Sequence, residues 1–293
     1  MRKQQQLTRR DFLKVTGIAA LDFFLLTIGG TAYGILLEPN QFKVEIVRLK
    51  LPRLSRKFSG LRLAQISDIH IGGWMNAERF QRVVDLVIAE KPDLLLITGD
   101  FVIGHKASAI SQQMVQDLTV GLSRLADSFP TFSVLGNHDY WTDAERVRHI
   151  LATSGITDLT NTIFTLKRED ENLHLCGVDD VWAGDARLQD VLAQLTDDSA
   201  AILLAHEPDF ADTSAATGRF DLQLSGHTHG GQVVLPLIGP PFLPYMGRKY
   251  PLGLYKVGEM FQYTNRGVGM ARVPLRINCP PEITLFVLES PTA

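Results

Sequence analysis

Along this chain, short apolar runs alternate with stretches in which apolar residues recur every three or four positions. The runs at 61–67 (LRLAQIS), 94–98, 131–135, 173–178, 201–205 and 222–225 are short and largely apolar, and they predict strands. Between them, 77–90 (AERFQRVVDLVIAE) has helical spacing, and 142–152 opens on Thr142 with Glu145 three positions later, the order of a capping box. Residues 110–126 and 186–195 are further helix candidates. Strands alternating with helices predict an α/β layered fold. No repeat, low-complexity tract or Gly/Ser-rich linker divides the body, so 41–293 reads as one domain.

The first 40 residues break this pattern. Arg2, Lys3, Arg9, Arg10 and Lys14 precede an apolar run over 15–37 that only Asp22 interrupts. At about 1.5 Å per helical residue the run covers roughly 34 Å, enough for a hydrocarbon core. The stretch TRRDFLK, 8–14, resembles the twin-arginine export signal S/T-R-R-x-F-L-K at every fixed position. A basic-flanked N-terminal anchor is the alternative. Gly30 and Ala32 form a poor small-x-small cleavage site, so 1–40 is expected to be a twin-arginine signal peptide or a retained membrane anchor.

Composition narrows the partners. The chain is 45% apolar and 21% charged, and 29 basic against 32 acidic residues give a net charge of -3. That balance supplies no global attraction to nucleic acid or anionic membrane, so an anionic ligand needs a local site. Cys176 and Cys279 follow no zinc-ribbon or CxxC spacing and are expected as buried thiols, with a single disulfide as the alternative.

The chemistry lies where the predicted strands end. LRLAQIS is followed by Asp68 and His70, LLLITG by Asp100, FSVLG by Asn137, His138 and Asp139, AILLA by His206, and LQLSG by His227 and His229. In α/β sheets, ligands bind beyond the carboxyl ends of parallel strands, so these side chains are expected to converge at one edge. In extended chain i and i+2 share a side, which would aim Asp68 with His70, and His227 with His229, at one point. A lone strand-end histidine is usually structural; the signal is that five of the eight histidines fall here. His105, His149 and His174 stand outside the pattern and read as structural.

The blocks DIH (68–70), GD (99–100), GNHD (136–139), AHEPD (205–209) and GHTH (226–229) resemble, in order, the motifs of the calcineurin-like metallophosphoesterases. The resemblance implies a four-layer sandwich, two mixed β-sheets flanked by helices, with 41–293 as the catalytic domain. It implies two divalent metal ions, one held by Asp68, His70, Asp100 and His229 and the other by Asp100, Asn137, His206 and His227. A bridging hydroxide would attack a phosphoester, with His138 serving the departing oxygen and Asp139 orienting His138 or capping a helix. Imidazole, amide and carboxylate donors favour Mn, Fe, Zn or Co. Export of an already folded protein suits a chain that must collect metal first. A zincin reading fails because Pro208 and Phe210 break the motif begun by His206 and Glu207, and no GxSxG, P-loop or GxGxxG is present.

The substrate is less legible. Residues 233–247 (VVLPLIGPPFLPYMG) are apolar and broken by four prolines, which excludes a long helix or central strand. They read either as irregular chain packed on the core or as a loop touching lipid beside the metals. The stretches 253–269 and 274–288 resemble a bacterial subgroup of membrane-associated or exported phosphodiesterases, some of which hydrolyse UDP-2,3-diacylglucosamine. A UDP-linked intermediate is cytoplasmic, whereas the signal implies the extracytoplasmic face of the membrane. The expected substrate is therefore an extracytoplasmic phosphodiester or phospholipid-like molecule. The nucleotide-sugar diphosphatase, and a non-catalytic membrane-tethered binding module, are the alternatives. Expected partners are that substrate, the twin-arginine machinery, and the membrane through the N-terminal segment and the 233–247 loop. Arg248, Lys249, Arg266, Arg272 and Arg276 are candidate phosphate contacts or solvated charges.

Overall fold

The computed structural model describes residues 9–104, 106, 110–271 and 273–291, without the side chains of 11, 15, 18–23 and 25–27. Among the described residues, twelve strands form two six-stranded sheets. In the first, β1 (Lys43–Lys50), β12 (Glu282–Glu289), β2 (Arg62–Ile66), β3 (Leu94–Thr98), β4 (Thr131–Val134) and β5 (Thr157–Asp158) lie side by side in that order. The second runs β10 (Gly253–Val257), β11 (Met260–Thr264), β9 (Leu222–Ser225), β8 (Ala201–Leu204), β7 (Glu171–Gly177) and β6 (Thr162–Arg168). Strands β2 to β5 are mutually parallel, as are β7, β8, β9 and β11, whereas β12 against β2, β6 against β7 and β10 against β11 are antiparallel. Both sheets are therefore mixed, as expected.

Strand alternation builds the layers. Leu94 and Leu96 of β3 meet Ile202 and Leu204 of β8 in the core between the sheets. Their neighbours Leu95 and Ile97 face a helical layer of α2 (Ala77–Glu90), α3 (Gln112–Ser128) and α5 (Ala144–Thr153). On the far side, Ala201 and Leu203 pack with residues of α6 (Leu188–Gln194) and α7 (Ala211–Ala216). A strand apolar on both faces must be covered on both faces, and each leucine so buried contributes about 1.5–3 kcal/mol.

The helices begin where side-chain oxygens accept backbone N–H groups. Asn76 caps α2, and Ser111 caps α3. Thr142 is not the cap of the next helix: it ends a short helix, α4 (Asn137–Thr142), its hydroxyl bonded to the His138 carbonyl, and Asp143 caps α5 instead. Aspartate accepts N–H bonds at least as well as threonine, and threonine has a carbonyl to bond one turn back.

Helix α1 (Arg9–Leu36) covers the predicted apolar run. Among the described residues no helix is long and apolar enough to cross a membrane. The end of α1 is tied to the body: the Arg276 N–H donates to the Gly34 carbonyl, and buried Glu38 accepts from the Cys279 N–H at 2.5 Å. Cys176 and Cys279 are buried free thiols. His174 bonds Thr165 and Asp197 within the second sheet, and His105 lies outside the described residues.

Candidate metal centre

The register aligns the strand ends. Ile66 pairs with Ile97, Thr98 with Val134, and Leu204 with both Gly177 and Leu224, so the following loops emerge along one edge of the sandwich. Asp68 and His70 follow β2, Asp100 follows β3, His206 follows β8, and His227 and His229 follow β9. Asn137, His138 and Asp139 form the first turn of α4.

Extended-chain alternation does not explain how these residues converge. Asp68, His70, Asp100, His227 and His229 have φ of 53°, 50°, 59°, 72° and 53°, all left-handed. For a residue with a Cβ this costs about 1–2 kcal/mol, so the loops need fixing. The Asp68 and His70 N–H groups donate to the Gly99 and Asp100 carbonyls, and the His227 N–H donates to the Asp68 carboxylate. Two glycines admit the crowding: a Cβ at Gly226 would lie 2.4 Å from Asp68 Oδ2, and one at Gly136 2.4 Å from Asp100 Oδ1.

The side chains meet in a buried cluster. His229 Nε2 lies 3.0 Å from His70 Nε2 and 3.2 Å from Asp68 Oδ1, and Asp100 Oδ2 lies 3.5 Å from His70 Nε2 and 3.3 Å from His206 Nε2. Three sets (Asp68, His70, His229; His70, Asp100, His138; Asp68, Asp100, His206) each bring their donor atoms within 4.8 Å of one another. Asp68, His70 and Asp100 each belong to two of them, and Asp100 Oδ2 reaches both His70 and His206. His227 is in none; its ring centroid is 5.0 Å from that of His206.

Hydrogen bonding tests whether cations fit. His206 Nδ1 is 2.6 Å from the Thr98 carbonyl, His227 Nε2 2.7 Å from that of Tyr245, and His70 Nδ1 3.3 Å from that of Val102. Carbonyls only accept, so those nitrogens carry the hydrogens and the opposite nitrogens present lone pairs. His206 Nε2, His227 Nδ1 and Asn137 Oδ1 are buried without a hydrogen-bond partner. Leaving several buried lone pairs unpaired costs on the order of 1–3 kcal/mol each, and divalent cations satisfy them together. The residues present fit such ions.

The charges agree. Burial raises the Asp68 and Asp100 carboxyls, but His229 beside Asp68, and His206 and His138 beside Asp100, hold both well below their ordinary range. Burial lowers His206, yet the Asp100 charge lifts it well above 6.5. A metal cation bound at His206 would take the place of that imidazole proton.

Asp139 has a different task from orienting His138. Its Oδ2 accepts from the Asp100 and Gly136 N–H groups and its Oδ1 from those of Phe101 and Val102. It clamps the Asp100 loop to the start of α4. Burial and the Asp100 charge push its carboxyl up to about 8, against the pull of these N–H donors.

Comparison with known proteins decides the family. Residues 61–231 match the calcineurin-like phosphoesterase family. The metallophosphoesterase YkuE of Bacillus subtilis (strain 168) is 34% identical over 98% of this chain and 99% of its own. This chain belongs to the calcineurin-like phosphoesterases. Phosphodiesterase YaeI of Escherichia coli (strain K12) is 32% identical over 96% of this chain and 99% of its own. A transmembrane protein with a metallophosphoesterase domain from Danio rerio is 32% identical over 90% of this chain, which spans 61% of that protein. The chain is thus a metal-dependent phosphoester hydrolase.

Several supports of this calcineurin-like phosphoesterase carry no mark in the sequence. Arg276 is fully buried and donates to the Arg266, Gly267, Gly269 and Cys279 carbonyls. The chain it holds lies against Asp68, since the Gly269 N–H donates to the Asp68 carbonyl. Cys279 Sγ donates to the His229 carbonyl at 3.2 Å. Of the other basic candidates, Arg266 pairs with Glu282 and Glu45, Lys249 pairs with Asp212, and Arg272 lies outside the described residues. Trp141 and Trp182 stack edge to face at 4.8 Å beside His138 and His227. They are 41 positions apart, and only the folded chain makes them neighbours.

Proposed function

We propose that the chain is a phosphodiesterase that works with two divalent cations on a membrane-associated phosphodiester at the extracytoplasmic face, after export by the twin-arginine route. Asp68, His70, Asp100 and His229 would hold one cation, and Asp100, Asn137, His206 and His227 the other. Bound there, the ions would activate water at neutral pH and neutralise the phosphoryl oxygens. The observation that carries this reading is the buried convergence of the donor atoms of Asp68, His70, Asp100, His206 and His229, beside which Asn137 Oδ1 and His227 Nδ1 have no hydrogen-bond partner.

The protein's own residues do the rest. Carbonyls of Thr98, Tyr245 and Val102 fix the imidazole tautomers, and Asp139 fixes the Asp100 loop. His138 lines the cavity with its ring 4.7 Å from that of His70 and would give a proton to the departing oxygen.

The membrane part rests on exposed apolar side chains. Phe12, Leu13, Phe24, Ile28, Leu36 and Leu37 are exposed along and just after α1, and Leu237, Ile238 and Phe242 at the tip of the 233–247 loop. A patch of this kind favours a membrane or protein partner over water.

Purified full-length protein supplied with Mn, Fe, Zn or Co should hydrolyse bis(p-nitrophenyl) phosphate and bind close to two metal ions. Absence of both turnover and bound metal across all four would overturn the reading.

A further inference from the structure

The cavity that contains the metal-facing residues holds about 660 Å³, and much of its wall has no part in holding metal. Trp141, Trp182 and Tyr245 form a continuous aromatic face, with Trp141 and Trp182 centroids 4.8 Å apart at 82° and Trp182 and Tyr245 centroids 5.5 Å apart at 61°. The face begins at His138, whose ring is 5.0 Å from that of Trp141. Val233, Leu243 and Leu275 add aliphatic lining. Polar side chains here are engaged within the protein: Gln232 bonds the Val273 carbonyl and Ala271 N–H, and Thr228 bonds the Pro251 carbonyl. Among the described lining residues there is no Lys, Arg or Glu.

The aromatic face is held in place at considerable expense. Trp182 is 40% exposed, yet its loop is pinned by three buried carboxyl groups. Asp180 accepts from the Trp182 and Ala183 N–H groups, Glu207 from that of Val181, and Asp179 from those of Asp180 and Asp185. Burying carboxyl groups is unfavourable, and here it fixes an indole beside the metal-facing residues. Such pre-organisation strengthens ligand binding by removing the cost of ordering the loop.

We propose that this trough receives a hydrocarbon chain carried by the phosphodiester, running from the phosphorus at His138 and His227 toward exposed Phe242. The proposal rests on the phosphodiesterase reading and specifies its substrate class. Apart from Asp100, Asn137 and the histidines, the described lining carries no charged side chain and its Gln232 and Thr228 are engaged, which suits alkyl carbon, and the near-perpendicular rings form a corner for a chain rather than a parallel slot for a nucleobase.

The test uses full-length, metal-loaded protein and n-alkylphosphonates from methyl to octyl, below their micelle concentrations. Binding is read by tryptophan fluorescence, since two of the three tryptophans lie in the trough. Affinity should rise about two- to fourfold per methylene while the chain stays buried. Trp182→Ala and Tyr245→Ala should each flatten that dependence. Affinity independent of chain length, or a slope unchanged in both variants, overturns the trough and leaves phosphoester hydrolysis standing. A steep slope with no turnover of any alkyl p-nitrophenyl phosphate overturns the phosphodiesterase reading instead.

Discussion

Two groups of buried carboxyls flank His206 and behave oppositely. Asp68 and Asp100 are crowded by imidazoles, and after burial has raised them, His229 and His206 respectively are the largest influences that draw them down, so both stay ionised. Asp180 and Glu207 are both raised, by burial first, and the Asp180 charge raises Glu207 further. Burial is common to both groups, so burial alone does not make a metal site. The difference is the neighbour: several imidazoles crowd Asp68 and Asp100, whereas Glu207 has the Asp180 carboxyl beside it.

The sharpest way to break this contrast is Asp100→Asn, which should lower turnover by up to about four orders of magnitude and reduce bound metal. Full metal content with near-normal turnover would remove Asp100 from the centre. His138→Ala should cost about a hundredfold or more in turnover while metal content holds; a metal-loaded variant with normal rates would end its role as proton donor. Glu207→Gln should do far less, under about tenfold, and keep its metal. Loss of metal there would merge the two groups into one site.

Acidity separates the groups further. A group raised on folding, such as Glu207 above its ordinary 4.5, contributes stability that is fully present at lower pH and is lost as pH rises. Asp68 and Asp100, held down, contribute stability that is present above 3.8 and is lost on acidification. The Tm of metal-free protein should therefore fall less from about pH 5 to pH 9 in Glu207→Gln than in wild type. The smallest effect is expected where a carboxyl is exposed: Asp197, held low first by its bond to His174, should cost well under about 1 kcal/mol as Asp197→Asn, read by denaturant titration.

The sequence made the strand ends legible because their residue types are unusual after apolar runs: aspartate, asparagine and histidine recur at five of them. Six of the strands, β2, β3, β4, β7, β8 and β9, were legible as short apolar runs, whereas parallel β5 and β11 were not. β1, with its charged positions, and the pairs that β6, β10 and β12 form lay outside that signal, since strands at or near sheet edges mix polar with apolar residues. The convergence of the donors was anticipated, but its means was not. Local alternation gave the wrong backbone, because tertiary hydrogen bonds hold Asp68, His70, Asp100, His227 and His229 in a left-handed conformation that no pairwise spacing reveals. Buried Arg276 looked like one more scattered cation, since nothing in a lone arginine announces four waiting carbonyls.

Glu38 gives the leading segment an importance out of scale with its length. Its carboxylate grips the Cys279 amide, and the thiol of that cysteine touches the carbonyl of His229. A peptidase cutting just beyond Glu38 would thus loosen a histidine nearly two hundred residues downstream. The clipped product should shed its ions to a chelator sooner than the intact polypeptide.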